Sequence, residues 1–437
     1  MKYYCPLAYI LTTLPLRMFP PLLLLHPDLA AGALQYRIDR LPEALTRARD
    51  FGFDGAMWPW ESSFSGIDTC PAATEARYEH HIAGDIAMAM RQYWLATSDT
   101  AFLERAWPAL NATCVFWACR FTRSDATDGP GCGSKAGSGN WTIRRAQGPD
   151  ENAGVVDDSL YTIGVAAATL TFCNDAATVL GYTTPTAWAD IAAAPYMPVS
   201  DSLYAGGTVH PEYKGYAGQH INQADIALLQ YPLGMTFDSS LALRDLDYYS
   251  ALTGHPAPPL DGYGISPFFT GNSAYGIAYL ALGNRSAADA QFELGFLHQT
   301  PEFNVWTEMT PAANYGHLNF ITGAGGWLQA LLYGYPGLRL PHKGGQLRFA
   351  TPVPILPPGS VTRVRLRGLH LLGTAFDFSY DAKLVCGRLR DAGRGVPLQL
   401  RSEVNGTIVP VAQQEACMSI ELAPVVVEAA GATSNIL

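Results

Sequence analysis

Two carboxylates in separate segments of the chain are the residues with the clearest potential for chemistry. Glu151 follows Pro149-Asp150, a pair typical of a turn that enters a helix. Glu308 ends the aromatic run Val305-Trp306-Thr307-Glu308, ahead of the glycine-rich stretch 322–327. Glycoside hydrolysis needs such a pair, because one carboxylic acid protonates the leaving oxygen and a second carboxylate deprotonates a water. The sequence therefore predicts a sugar-cleaving enzyme.

The elements that must position these carboxylates read as helices. Ile82, Ile86, Met90 and Tyr93 recur at helical spacing, and Ser98-Asp99 then opens a second helix, so we expect an antiparallel hairpin. Many of the predicted helices are apolar almost all round and therefore need neighbours on most sides. A ring of helical hairpins in two concentric layers over residues 26–341 meets this need and gathers the loops at one end. Further helices are predicted over 28–50, 158–181, 223–231, 238–253, 273–283, 287–299 and 323–335.

The pattern changes after residue 341. Residues 363–367 and 376–380 alternate with period two between Gly and Pro turns, which is typical of β-strands. We expect a small all-β domain over residues 342–437 that packs on the helical region and carries no chemistry. Residues 431–437 are expected to be a frayed end.

Residues 1–25 are predicted to be an irregular N-terminal segment. The segment is apolar but interrupted by Pro6, Pro15, Pro20 and Pro21, so it makes a poor membrane span. A signal peptide with Lys2 as its basic region is the alternative, although no small-x-small cleavage site follows the leucines. We therefore expect no membrane span.

The composition suits a compact globular protein of about two domains. Of 437 residues, 48% are hydrophobic and only 15% are charged, which allows a large buried core. The 28 basic and 38 acidic residues give a net charge of −10 without a basic cluster, so nucleic acid is excluded as a partner. The 22 Tyr, 18 Phe and 9 Trp favour a site that stacks on sugar rings, although most of them must fill the core.

The eight cysteines show neither a C-x-x-C pair nor a His spacing typical of zinc, so we expect no metal and no cofactor. Several of them lie in apolar helical patterns, where a reduced buried thiol is the default expectation. Short Asn-x-Ser/Thr patterns at Asn111, Asn140, Asn284 and Asn405 suggest a secretory route but arise often by chance. The compartment stays open, with the cytoplasm slightly favoured.

A set of short motifs resembles glycoside hydrolase family 65 in its order and spacing. Each motif alone is weak, but together they are specific, and the resemblance runs from about residue 18 to about residue 380. Within the family it is strongest to kojibiose-type α-glucosidases. The motifs are Trp60-Glu61-Ser62 with Gly66 and Cys70-Pro71, His81-Ile82-Ala83-Gly84, Pro149-Asp150-Glu151, Gln223-Ala224-Asp225, Tyr231-Pro232-Leu233, Val305-Trp306-Thr307-Glu308 and Asn319-Phe320-Ile321-Thr322-Gly323.

The resemblance implies an (α/α)6 barrel followed by a small β domain, acting on an α-linked glucosyl unit with inversion. It assigns Glu151 as the general acid and Glu308 as the general base. Inversion requires a water between the base and the anomeric carbon, with carboxyl groups roughly 6.5–9.5 Å apart, a span that residues of different loops can provide. A phosphorylase of the family uses phosphate as its nucleophile and needs no second carboxylate, so Glu308 favours hydrolysis.

The same resemblance assigns Trp60 as a pocket wall, Glu61 as a hydroxyl partner and Gln223 as a contact to the non-reducing glucose. Structural alternatives are a core residue for Trp60 and a helix cap for Glu61. Asp225, in the same motif as Gln223, has the weaker case for a site role, and its alternative is a helix salt-bridge partner. For Glu151 the alternative is an acidic residue in a helix first turn, favoured by the dipole. That dipole would lower the pKa of Glu151, so a working acid needs burial or a carboxylate such as Asp150 beside it. His81 is expected to be only a packed or capping residue.

The chain also departs from the family pattern. Relatives have a Thr-Trp-Asp segment that grips the terminal glucose, where this sequence reads Thr12-Thr13-Leu14-Pro15-Leu16. Asn222 replaces the usual Lys before Gln-Ala-Asp, and Asn152-Ala153 replaces Tyr-His after the acid. The family's N-terminal β-sandwich has no counterpart in the sequence. An incomplete gene model and a degenerate, sugar-binding member both account for this, and retention of both glutamates favours the former.

Three functional hypotheses follow. The leading one is an inverting hydrolase that releases glucose from an α-1,2-glucosyl unit, as in kojibiose or a glucosyl-galactose on glycosylated hydroxylysine. An acid-trehalase-like hydrolysis of α,α-trehalose would use the same two glutamates with a different acceptor pocket. A catalytically inactive sugar-binding remnant is the non-enzymatic alternative.

Overall fold

The computed structural model describes residues 18–70, 72–126, 132, 135–219, 221, 225–253, 271–300, 303–307, 319–341, 345–349 and 354–431. Over these residues the prediction of a mainly helical protein is confirmed. The α-helices are α1 (Phe19–Leu25), α2 (Pro27–Asp39), α3 (Leu41–Asp50), α4 (Ala73–Tyr78), α5 (His81–Thr97), α6 (Thr100–Arg120), α7 (Leu160–Leu180), α8 (Thr186–Ala193), α9 (Asp225–Gln230), α10 (Ser239–Leu252), α11 (Gly271–Ala281), α12 (Arg285–Leu294) and α13 (Ile321–Gln329).

Two of the predicted boundaries need correction. The predicted helix over 28–50 is two helices, because Pro42 lies in the first turn of α3 and cannot continue a helix from α2. The predicted irregular segment 1–25 contains helix α1, whose Pro20 and Pro21 occupy the first turn, where a missing N–H costs no hydrogen bond. Residues 1–17 lie outside the described part of the chain.

Helices α5, α6 and α7 form the centre of the main hydrophobic cluster. Ser98 ends α5 in a left-handed conformation with φ 53°, and the Asp99 side chain accepts a hydrogen bond from the Phe102 N–H at 2.9 Å, so the predicted hairpin turn is present. At Gly84 the backbone of α5 lies against α7, because an added Cβ would meet Val165 at 2.7 Å. The close packing of α5 on α7 therefore requires glycine at this position.

Within the described residues, α7 is the one helix whose length and apolar composition would suffice to cross a membrane. It packs against α5, α6 and α8, and most of it is buried. A core helix of a water-soluble protein meets the same test, so α7 is weak evidence for a membrane span.

The strands after α13 form two antiparallel sheets, one in the order β10-β7-β6-β5 and the other in the order β3-β4-β11-β8-β9. Side chains from both sheets, among them Phe376, Tyr380, Leu400 and Val427, share one hydrophobic cluster with Leu24 of α1. The first strand after α13 is Leu338–Arg339, which lies just before the domain boundary predicted at residue 341. The strands are β1 (Phe121–Arg123) and β2 (Trp141–Ile143), which form a separate hairpin, and β3 (Leu338–Arg339), β4 (Gln346–Phe349), β5 (Arg363–Leu371), β6 (Thr374–Asp381), β7 (Leu384–Asp391), β8 (Leu398–Ser402), β9 (Ile408–Pro410), β10 (Ala416–Ser419) and β11 (Val425–Ala429).

The expectation of reduced core cysteines is wrong for six of the eight. Cys114 of α6 and Cys173 of α7 form a disulfide across the helix contact, with Cα atoms 6.8 Å apart and a separation of 59 positions in sequence. Further disulfides join Cys119 to Cys132 and Cys386 to Cys417. The spacing along the chain could not reveal these pairs, because they depend on which helices and strands pack together. Disulfides are typical of oxidising compartments, which argues against the cytoplasm favoured above.

Candidate active site

Glu151 lies near the tip of a loop that is closed at its base. Ala146 and Val156 exchange two backbone hydrogen bonds, of 2.9 and 2.8 Å, and the chain between them turns through a single 3-10 turn, Glu151–Ala153. The Glu151 side chain is half-buried. The turn expected at Pro149-Asp150 thus enters only this short 3-10 turn, and α7 begins at Leu160, close to the start predicted at residue 158. One short turn carries little of a helix dipole, so the dipole alternative for Glu151 loses its main support.

Two neighbouring elements hold this loop. The Asp150 N–H donates to the Asp225 carboxylate, at the start of α9, over 2.9 Å. The Gln147 N–H donates to the Tyr78 carbonyl at the end of α4, also over 2.9 Å. The loop that carries Glu151 is thus fixed from both sides by residues distant in sequence.

A buried ion-pair network begins at His81, the first residue of α5. Its Nδ1 atom is 2.8 Å from Asp85, one turn later on the same helix, and its Nε2 atom is 3.4 Å from Glu79. The Tyr161 hydroxyl of α7 donates to the other Asp85 oxygen at 2.7 Å. Burial would lower the pKa of His81, but Asp85 and Glu79 outweigh it and raise that pKa to about 10. His81 is therefore a buried cation, which goes beyond the packing role expected for it.

Carboxylates surround this cation. Burial raises the pKa of Glu79 to about 7, with His81 partly opposing the shift. Burial and the nearby Asp150 raise the pKa of Asp225, and burial together with Asp225 and Asp150 raises the pKa of Glu212. Sequence reasoning gave no role to Glu212, which lies in a segment without helical or strand periodicity. The spacing of His81 and Asp85, four residues apart on one helix face, was a usable signal that we did not weigh.

Trp60 and Glu61 lie on another loop. The loop is closed by a bridge between Ser62 and Asp68 and by a hydrogen bond from the Thr69 N–H to the Glu61 carbonyl at 3.0 Å. Trp60 is part of the main hydrophobic cluster, as its structural alternative predicted. Asp68 pairs with Arg47 at 2.8 Å, which anchors the loop on α3.

Glu61 is buried, with 1% of its surface exposed, and its Oε1 atom accepts no hydrogen bond from a described residue. The alternative that Glu61 caps a helix is therefore not seen in the described structure. Burial and the nearby Asp68 raise the pKa of Glu61 to about 7. An unsatisfied buried carboxylate oxygen is costly, so it fits a site that a polar ligand completes.

These raised pKa values predict that the protein is less stable at neutral than at mildly acidic pH. The folded protein holds a proton on Glu61 up to about pH 7, whereas the ordinary value is 4.5, so folding favours the protonated form and stability falls as the pH rises through this window. Glu79 has the same sign. We expect the melting temperature to decline between pH 4.5 and 7, and Glu61→Gln to flatten part of that decline.

Thermal unfolding at several pH values checks this expectation. The exposed Glu104 on α6 offers a matched control, since Glu104→Gln removes a carboxylate that is not buried. An unchanged slope in Glu61→Gln, or a slope that changes equally in both variants, would contradict the role given to Glu61.

Glu308 and Gln223, the predicted base and glucose contact, lie outside the described residues. Thr307, the residue before Glu308, is held by two hydrogen bonds. Its N–H and its hydroxyl both donate to the His298 carbonyl, at 3.0 and 3.1 Å. Trp306 donates from its indole N–H to the Gly295 carbonyl at 3.1 Å and lies against Trp327. The residues directly before Glu308 are thus anchored on the chain that follows α12.

The described residues contain two groups whose composition could suggest a metal, Asp54 with Cys119 and Cys132, and Glu415 with Cys386 and Cys417. In each group the two cysteines form a disulfide with each other. A disulfide sulfur is not a thiolate ligand, so neither group fits a metal centre.

Residues 16–217 match the model of the glycosyl hydrolase family 65 central catalytic domain, a range that includes the Glu61 and Glu151 loops. This chain belongs to glycoside hydrolase family 65. Among proteins of the family, it is 36% identical to a kojibiose hydrolase of Flavobacterium johnsoniae over 75% of this chain and 44% of the relative. It is 31% identical to a protein-glucosylgalactosylhydroxylysine glucosidase of Danio rerio over 84% of this chain and 52% of the relative.

A solved structure shares the fold of this chain. A candidate kojibiose phosphorylase from the human microbiome superposes with a TM-score of 0.68, at 13% identity, over 93% of this chain and 53% of the other. At that identity the likeness shows a shared fold and nothing about the reaction. The chain spans about half the length of the family 65 relatives it matches.

Proposed function

We propose that this family 65 chain is an inverting α-glucosidase that releases glucose from an α-1,2-linked glucosyl unit. The observation that carries the proposal is the placement of Glu151, half-buried at the tip of a fixed loop, in a chain 36% identical to a kojibiose hydrolase. The helices of residues 26–341 would form the (α/α)6 barrel, with the sheets after α13 as a separate β domain.

Glu151 would act as the general acid, donating its proton to the glycosidic oxygen as the bond to the anomeric carbon breaks. Glu308 would take a proton from a water that attacks the same carbon from the opposite face, so the released glucose has the β configuration. The two carboxyl groups would lie roughly 6.5–9.5 Å apart to hold that water.

Glu61 would accept hydrogen bonds from hydroxyls of the terminal glucose. The buried Oε1 atom of Glu61, which accepts no hydrogen bond from a described residue, supports this role, because a sugar hydroxyl would supply the donor. Gln223 would contact the same ring and Trp60 would back the pocket. The acceptor would be a second sugar, as in kojibiose or a glucosyl-galactose on hydroxylysine.

The test is glucose release from kojibiose, α-1,2-glucosylgalactose, trehalose and maltose, with and without phosphate. We expect release from an α-1,2-linked substrate without phosphate, and proton NMR should show β-glucose as the first product. Glucose 1-phosphate as the product would indicate a phosphorylase, and release from trehalose alone would assign the other linkage. Binding of glucose without turnover of any substrate would favour a sugar-binding remnant.

A further inference from the structure

The backbone that carries Glu151 is tied to one buried side chain from a distant segment. The Asp225 carboxylate accepts the Asp150 N–H at 2.9 Å, and both residues are buried, with 4% and 2% of their surface exposed. Asp150 directly precedes Glu151 and starts its 3-10 turn. A change at Asp225 therefore acts on the peptide unit next to Glu151.

The second carboxylate oxygen of Asp225 lies against the same loop at Gly148. A Cβ added at Gly148 would be 2.3 Å from that oxygen, closer than side-chain contacts allow, and 3.1 Å from the Ser159 hydroxyl, which is a tight contact. Two peptide units of the loop, at 148 and 150, thus enclose the Asp225 carboxyl group. This enclosure leaves the loop little freedom to move relative to α9.

The surroundings of Asp225 tolerate a neutral acceptor. Glu212 and Asp150 are buried beside it, and His81 is the nearby cation, so burial and Asp150 raise the pKa of Asp225. A protonated carboxyl or an amide can still accept the Asp150 N–H through its carbonyl oxygen. The hydrogen bond, more than the charge, is then the feature that fixes the loop.

We infer that Asp225 is a positioning residue for Glu151, which holds the proton-donating carboxyl group at the glycosidic oxygen by fixing the main chain at Asp150 and Gly148. The inference rests on the proposed role of Glu151. A misplacement of about 1 Å can cost about 10²-fold in rate, and general acid catalysis contributes about 10²–10⁴-fold. Removing Asp225 should therefore weaken the acid specifically.

The experiment compares kojibiose with α-glucosyl fluoride, whose fluoride leaves with little need for a proton. In Asp225→Ala we expect kcat for kojibiose to fall about 10²-fold with KM little changed, while the fluoride reaction falls less than about fivefold. Asp225→Asn, which keeps the acceptor, should recover most of the loss. Gly148→Ala, which displaces the same carboxyl group, should reproduce the selective loss.

Asp245→Ala is the matched control. Asp245 is a buried aspartate that accepts the His210 N–H at 2.8 Å, and any damage from its loss should affect both substrates equally. Glu151→Gln provides the reference pattern. If Glu151→Gln shows the selective loss and Asp225→Ala loses both reactions equally, Asp225 is only structural and the inference is wrong.

Amide hydrogen exchange gives a second measurement that needs no turnover. In Asp225→Ala the peptide covering residues 148–154 should exchange at least about tenfold faster, while Asp225→Asn should keep the wild-type rate. Unchanged exchange in Asp225→Ala would overturn the inference. Absence of glucose release by the wild-type chain would instead count against the proposed function, and the exchange result would still decide whether Asp225 holds the loop.

Discussion

Replacing Glu151 by glutamine should abolish the hydrolysis of kojibiose and spare much of the reaction with α-glucosyl fluoride. Glutamine keeps the size and hydrogen bonding of the side chain but cannot give up a proton, so only leaving groups that need protonation are affected. We expect a fall of at least about 10³-fold for kojibiose, within the range of general acid catalysis. Steady-state rates with both substrates provide the measurement.

Glu308→Gln should behave differently, because a substrate with a good leaving group, such as α-glucosyl fluoride, still needs an activated water to attack the anomeric carbon. Both reactions should fall together in that variant, and the contrast separates the acid from the base. Equal losses for both substrates in Glu151→Gln would remove Glu151 from the acid role. Full activity of Glu308→Gln with kojibiose would remove Glu308 as the base.

The largest effect on stability should come from Asp85→Ala. Asp85 is 1% exposed and accepts both the His81 ring at 2.8 Å and the Tyr161 hydroxyl at 2.7 Å. Its removal leaves the buried His81 cation without its nearest anion and breaks the hydrogen bond that the Tyr161 hydroxyl donates. We expect the free energy of unfolding to fall by about 3–5 kcal/mol at pH 7, as measured by urea unfolding.

Two controls locate the origin of that loss. Tyr161→Phe removes one hydrogen bond and should cost only about 1 kcal/mol. The double variant His81→Leu/Asp85→Leu removes both charges and should be more stable than Asp85→Leu alone, because no unpaired cation remains. A loss below about 1 kcal/mol in Asp85→Ala would show that His81 is not held as a cation in the folded protein.

The helices were the part of the structure that the sequence predicted best. The predicted range of helix α7 is wrong by only two residues at its start and one at its end. The prediction is close because the apolar residues of the helix and the Gly181 that ends it are local signals. The break between α2 and α3 depended on a single proline whose effect we underestimated. Among the strands after α13, β5 and β6 were recognised by their alternation, but the order of the strands in two sheets could not follow from periodicity.

The candidate site was predictable only as a set of motifs. Glu151 and Glu61 were chosen from short motifs, and the structure adds that one lies on a closed loop and the other is buried with an unsatisfied oxygen. The role proposed for Asp225 depends on its hydrogen bond with Asp150, which lies 75 residues away in sequence. Such a contact leaves no trace in local spacing, whereas the pairing of His81 with Asp85 could have been read from their spacing of four residues on one helix.

The disulfide between Cys114 and Cys173 has a practical consequence for every assay of this protein. A cross-link that closes a loop of 59 residues contributes about 4 kcal/mol by constraining the unfolded chain, a large share of the stability of an ordinary domain. A host cytosol that keeps thiols reduced, or a purification buffer with a strong reductant, would remove that contribution along with the other two bridges. Rates measured on this chain therefore test the proposed glycosidase chemistry only when the protein has been made in an oxidising host and its free thiols have been counted.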